Sequence, residues 1–126
     1  MAYIHNREKI LERLQRLSET WTNHGWPMDA LVLVNGGPTS DVSKVSAMHI
    51  WLLGAEFTRT AMGLTRSGKL FFLATAGKLQ YLSHIKGPCV ELMERKKDNF
   101  LGDAARFLTA IRGHTLLVNV GFLLNM

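Results

Sequence analysis

SKVSAMHIWLLGAEFTRTAMGLTRSGKLFFLATAGKLQYLSHI, residues 43–85, joins an apolar helix, a basic hairpin and a second helix in one continuous run. Phe57–Leu64 and Lys69–Ala74 are rich in strand-forming residues and flank Thr65, Arg66, Ser67 and Gly68. A glycine in so short a link supplies the positive φ that hairpin loops often need, so the pattern predicts two antiparallel strands. Before them, a short helix contains Met48, Trp51 and Leu52, with Ile50 and Leu53 alongside. It is apolar around most of its circumference, which predicts burial, with Trp51 in the core. After the hairpin, Leu79, Leu82 and Ile85 recur at steps of three and predict a helix over Lys78–Ile85 with those side chains inward.

The flanking sequence extends the alternation. Ile10, Leu14, Leu17 and Trp21 lie on one face of a helix over Arg7–Trp21, with Asn6 as its cap and Gly25 and Pro27 as stop signals. Ala30–Asn35, ALVLVN, is continuously apolar up to its last residue, as expected of a strand inside a sheet and covered on both faces. Residues 36–41, GGPTSD, read as a loop. A short strand over Cys89–Met93 follows Gly87 and Pro88, and Arg95, Lys96 and Lys97 fall in a turn. Asn99 is placed to cap a last helix that buries Phe100, Ala104, Phe107, Leu108 and Ile111 and ends at Gly113. Thr115–Val120 is the last predicted strand, and GFLLNM after it is left apolar without a cap, as expected of an excised domain. The order predicts an α/β fold: a mixed β-sheet with a central hairpin flanked by helices, in two or three layers.

Composition narrows the classes. With 126 residues, 47% hydrophobic and 20% charged, the chain fits one globular domain, residues 1–126, able to bury roughly two thirds of its unfolded surface. Its apolar runs stop short of the roughly 20 residues that a membrane-spanning helix needs, so no membrane association is expected. The charged N-terminus, MAYIHNREKI, lacks a signal-peptide core, and a lone cysteine, Cys89, cannot form an internal disulfide. A reducing intracellular compartment fits these features. The net charge of +5 favours anionic partners, nucleic acid among them, but Lys and Arg are scattered without a dense basic tract.

Each candidate for chemistry has a plainer explanation. Gly63–Leu70, GLTRSGKL, approaches a phosphate-binding loop, yet Leu70 lacks the magnesium-binding hydroxyl and LFFLATA continues as a strand where a helix is required. His5, His24, His49, His84 and His114 show no metal-ligand spacing. Ser46 and His49 share a helix face at i, i+3, but no orienting acid or oxyanion hole accompanies them. Cys89 reads as a small hydrophobe beside Pro88. Arg95, Lys96 and Lys97 are flanked by Glu94 and Asp98 and read as a solvated turn. No catalytic, cofactor-binding or metal-ligating residue is expected, and no partner-binding residue can be named.

Family resemblance adds to this reading. Lys44–Ala47 leads into His49, Ile50, Trp51, Leu52, Leu53, Gly54, Ala55 and Glu56 in an order similar to the N-terminal lobe of the large subunit of the FACT histone chaperone. The hairpin, the Gly77–Ile85 helix and DALVLVNG at Asp29–Gly36 resemble the same lobe, and together these segments span about half of the chain. The resemblance implies a fold like the N-terminal domain of creatinase and aminopeptidase P, without enzyme activity. It also implies a nuclear, chromatin-associated role, with core histones as weak or auxiliary partners and with replication or transcription factors. The second FACT subunit would be reached through regions outside this chain, as would the peptidase-like, middle and acidic regions of the family.

Charge limits the role. Core histones are strongly basic, so a domain at +5 repels them at long range and is expected to serve as an auxiliary docking surface. Two alternatives stay open: the substrate-shaping lobe of an active aminopeptidase P or creatinase-like hydrolase, and a small basic nucleic-acid-binding domain. A hydrolase would need metal-binding Asp, His and Glu in sequence following Met126.

Overall fold

The computed structural model describes residues 6–35, 44–54, 57, 59–96, 100–112 and 120–125. Helix α1 runs Arg7–His24, one turn longer than the periodicity alone predicts. Asn6 is its cap: the side-chain oxygen accepts a hydrogen bond from the Lys9 backbone N–H at 2.9 Å. Gly25 ends the helix in the left-handed region at φ 62°, donating its N–H to the Thr22 carbonyl. Helix α2 is Lys44–Leu53, α3 is Ala76–Leu82 followed by a 3-10 turn at Ser83–Ile85, and α4 is Phe100–Arg112. Asn99 and Gly113, expected as the caps of α4, lie outside the described residues.

Strands β1 (Ala30–Asn35), β2 (Thr60–Thr65), β3 (Leu70–Ala74), β4 (Val90–Glu94) and β5 (Val120–Asn125) form one sheet in the order β4-β3-β2-β1-β5. The predicted hairpin is β2–β3, with Ala61 opposite Leu73 and Leu64 opposite Leu70, and Gly68 in its turn takes φ 90°. β1 lies inside the sheet, antiparallel to β2 and parallel to β5. β3 and β4 are also parallel, linked by α3 as a crossover. The sheet is therefore mixed, as the alternation of elements implied.

Two predicted elements shift. The first hairpin strand starts at Thr60, not Phe57; Phe57 is instead buried before the strand, its N–H donated to His49 Nδ1 at 3.2 Å. The last strand is Val120–Asn125, beginning where the predicted Thr115–Val120 ends, and residues 115–119 lie outside the described part. Gly121 reads as a breaker in isolation, yet it sits within β5 opposite Leu31, where the ladder with β1 sets the strand.

Side chains divide the core into two layers around the sheet. On one face Ile10, Leu14 and Trp21 of α1, Leu52 and Leu53 of α2, and Leu82 and Ile85 pack on Leu33, Met62, Leu64, Leu70 and Phe72. On the other, Phe107 and Ile111 of α4 pack on Ala30, Val32, Phe71 and Leu73. Strand β3, LFFLA, is buried at every position because helices cover both of its faces. The arrangement is the three-layer form of the predicted α/β sheet.

Gly63, in the middle strand, sets how closely α4 approaches. A Cβ at this position would stand 2.7 Å from Ile111 Cδ1 and 3.2 Å from Phe107 Cζ. Alanine needs only a small shift of two flexible side-chain ends, whereas a branched side chain must lift the helix. Gly63→Val is expected to destabilise by about 1–3 kcal/mol, and Gly63→Ala by clearly less. Urea midpoints of the two variants check the order.

Candidate interaction surface

The residues singled out for chemistry are dispersed. His49 is fully buried, and its Nδ1 accepts the Phe57 N–H, which places the ring proton of the neutral imidazole on Nε2. The Ser46 side chain, His5 and His114 lie outside what is described. His24 stacks on Trp26 at a ring separation of 5.8 Å, and His84 Nδ1 lies 3.0 Å from the Tyr81 carbonyl. Among the described residues, no three His, Cys, Asp or Glu side chains stand close enough to share a metal ion. No described helix is long and apolar enough to cross a membrane.

The near phosphate-loop is the hairpin itself. Gly63–Thr65 belong to β2, Leu70 opens β3, and Lys69 Nζ donates to the Pro88 carbonyl at 3.0 Å. Arg66 holds this turn to the end of α1. Its Nη2 donates to the carbonyls of Trp26 and Met28 at 2.7 Å each, its backbone N–H to that of Asp29, and its carbonyl accepts from Ser18 Oγ. Trp21 Nε1 donates to the same Met28 carbonyl at 3.0 Å.

Two expectations about exposure are overturned. Trp51 is not in the core: it is 37% exposed, beside Ile50 at 49%, while Leu52 and Leu53 of the same helix are fully buried. The Arg13 guanidinium lies 5.4 Å from the centre of the Trp51 ring and donates to the Trp51 carbonyl. Cys89 is exposed and not a packed hydrophobe. It lies on the rim of a shallow cleft of about 230 Å³, with Lys69, Lys86 and Glu91.

In the Arg95–Lys97 run, Lys96 is exposed and Arg95 is half-buried. The Arg95 N–H donates to the Ala74 carbonyl at 2.7 Å, and its guanidinium donates to the Arg59 carbonyl at 3.1 Å. Lys97 lies outside the described residues. Because β3 and β4 are parallel and β2 runs against them, Arg59, Lys78 and Arg95 gather at one end of the sheet. Partial burial, then repulsion from Arg59 and Arg95, holds the Lys78 amine below the usual lysine range. Arg59 itself has φ 53°, a left-handed conformation uncommon for a side chain of this size.

Next to this cluster, Asp103 is 2% exposed in the first turn of α4. Its carboxylate accepts from Arg106 Nη2 and from the Lys96 N–H, both at 2.8 Å. The Arg106 hydrogen bond, aided by the Lys96 N–H, outweighs desolvation and holds the carboxyl below the ordinary aspartate range. A depressed folded pKa stabilises the fold at pH values above the unfolded one, about 3.9, and that contribution is lost as pH falls through the folded value. Asp103→Asn is therefore expected to flatten the acid limb of the stability–pH curve below about pH 4.5. Urea midpoints across that range would show it; parallel limbs in both proteins would contradict it.

Comparison with known proteins places the chain. The model of the FACT complex subunit SPT16 N-terminal lobe domain matches residues 6–125. FACT complex subunit SPT16 of Gibberella zeae is 34% identical over 110 residues, covering 78% of this chain and 10% of that protein. The Arabidopsis thaliana subunit is 32% identical over 87 residues, 64% of this chain and 8% of its own length. The chain thus spans about a tenth of the length of these curated relatives. The solved N-terminal domain of FACT complex subunit SPT16 from chickpea superposes with a TM-score of 0.78 at 23% identity, over 95% of this chain and 30% of that one, and shares its fold. With residues 6–125 matched by the family model, the chain belongs to the FACT complex subunit SPT16 N-terminal lobe family.

Proposed function

We propose that this chain is the non-catalytic protein-interaction lobe of a FACT-like histone chaperone, acting in the nucleus on nucleosomes during transcription and replication. The family match over residues 6–125 carries this proposal, and the similarity to curated SPT16 subunits supports it. In this role residues 1–126 work as one domain, without a catalytic, cofactor-binding or metal-ligating residue of their own. The second subunit of the complex is engaged through regions outside the chain.

Charge supports an auxiliary part in histone handling. At +5 the lobe gains nothing from long-range attraction to basic histones, so acidic regions elsewhere supply most of that affinity. The lobe contributes docking to replication or transcription factors. The test compares the full protein with a form lacking residues 1–126. Deletion is expected to leave most of the affinity for purified core histones and to remove binding to at least one such factor. Metal-dependent peptide hydrolysis by the full protein would overturn the non-catalytic assignment, and loss of all histone binding on deletion would overturn the auxiliary one.

A further inference from the structure

Strand β4 stands at one edge of the sheet, and its ladder to β3 fixes which of its backbone groups face out. Leu70 donates to the Cys89 carbonyl and Arg95 to that of Ala74. In the parallel register Glu91 and Met93 therefore turn their N–H and C=O groups towards β3, while Val90, Leu92 and Glu94 turn theirs away. Those outward groups are mostly taken. Val90 exchanges both bonds with Gly87 across the Pro88–Cys89 turn, at 3.1 and 3.2 Å. The Glu94 carbonyl accepts from Arg106 Nη2 at 2.8 Å. Among the described residues of β4, Leu92 is left with both outward groups unbonded.

The contact at Glu94 comes from another element. Arg106 lies on α4, and the same Nη2 also donates to the Asp103 carboxylate, again at 2.8 Å. Asp103 is buried and held by the Lys96 N–H, so it aims the exposed guanidinium at the strand edge. We propose that Arg106 is an autoinhibitory guard of this edge, keeping β4 from pairing antiparallel with β4 of a second copy of the chain. The edge is self-complementary. A two-fold axis at Met93 sets Leu92 of one copy opposite Glu94 of the other, and both pairs can then exchange N–H and C=O bonds. A guanidinium 2.8 Å from the Glu94 oxygen stands where the second strand's Leu92 N–H would have to lie.

Analytical ultracentrifugation of the unaltered chain and of Arg106→Ala over a range of concentrations tests this. The unaltered chain is expected to stay at the mass of one copy, and Arg106→Ala to move towards two, with self-association strengthened about tenfold as each copy frees one carbonyl. Adding Glu94→Pro is expected to restore the single copy. The Glu94 side chain is exposed and its N–H faces outward, so proline there removes a donor to a second strand without breaking the ladder to β3. In the associated variant the Leu92 and Glu94 amides are expected to slow in hydrogen exchange. Circular dichroism verifies the fold; if the Asp103 carboxylate left by Arg106→Ala unfolds the protein, Asp103→Asn/Arg106→Ala takes its place. Arg106→Ala as monomeric as the unaltered chain would overturn the guard. So would equal association of the unaltered chain, or association that survives Glu94→Pro and so runs through another surface.

Discussion

Replacing Trp21 with alanine is expected to cost about 3–5 kcal/mol, lowering the thermal midpoint by about 12–20 °C. Trp21 is 1% exposed at the C-terminal end of α1, where it closes the layer formed by α1 and α2 on the sheet. Its removal leaves a cavity whose walls are held in place: Arg66 pins the Trp26–Met28 segment to the hairpin, and Ser18 pins the hairpin to α1. A site that cannot collapse keeps its cavity and pays the larger end of the range. Trp21→Phe retains most of the volume but not the indole donor to the Met28 carbonyl. It is expected to cost clearly less than alanine, because Arg66 still satisfies that oxygen. Calorimetry on both variants checks the size and the order.

The second large effect lies in β3. Phe71→Ala and Phe72→Ala are each expected to destabilise by about 3–5 kcal/mol, but in different layers. Phe72 is fully buried against α1 and α2, whereas Phe71, 1% exposed, packs against Phe107 and Ile111 of α4. Among the described residues α4 alone supplies the helical cover on its face, so loss of Phe71 weakens the one helix there. Hydrogen exchange should therefore accelerate first in α4 amides for Phe71→Ala and in α1 amides for Phe72→Ala. Identical exchange patterns in the two variants would mean that the layers open together.

What could be read from the sequence is what the sequence settles locally. Asn6 and Gly25 bound α1 because a cap needs only its own turn, and Gly68 marks the hairpin because its φ is a property of one residue. The bounds of β1 follow from an apolar run set off by Gly25 and Pro27 before it and by Gly36 after it. Helix α2 is different. Its MHIWLL is apolar almost all round, so periodicity cannot say which side faces in, and tertiary packing chooses Leu52 and Leu53 over Trp51 while burying His49. β5 escapes for a related reason, since its strand is decided by a partner, β1, in the first third of the chain.

The basic cluster was legible in one member only. Arg95 belongs to a run of three cations, but Arg59 and Lys78 stand alone in sequence and join it through the parallel pairing of β3 with β4 and the reversal of β2. The signal available in advance was a positive net charge without a tract to carry it, and folding brings three of those scattered cations to one end of the sheet.

The parallel ladder between β1 and β5 also fixes an order of assembly. β2, β3 and β4 follow one another along the chain and can pair as soon as they exist, but Ala30 waits for Val120. During synthesis, β1 therefore presents one finished edge to β2 and one unfinished edge until Val120–Asn125 has left the ribosome. ALVLVN is apolar at every position but its last, so that interval exposes an adhesive strand edge. A nascent chain stalled before residue 120 should bind chaperones at β1 and release them once β5 docks, which makes β5 the latch on the four strands made before it.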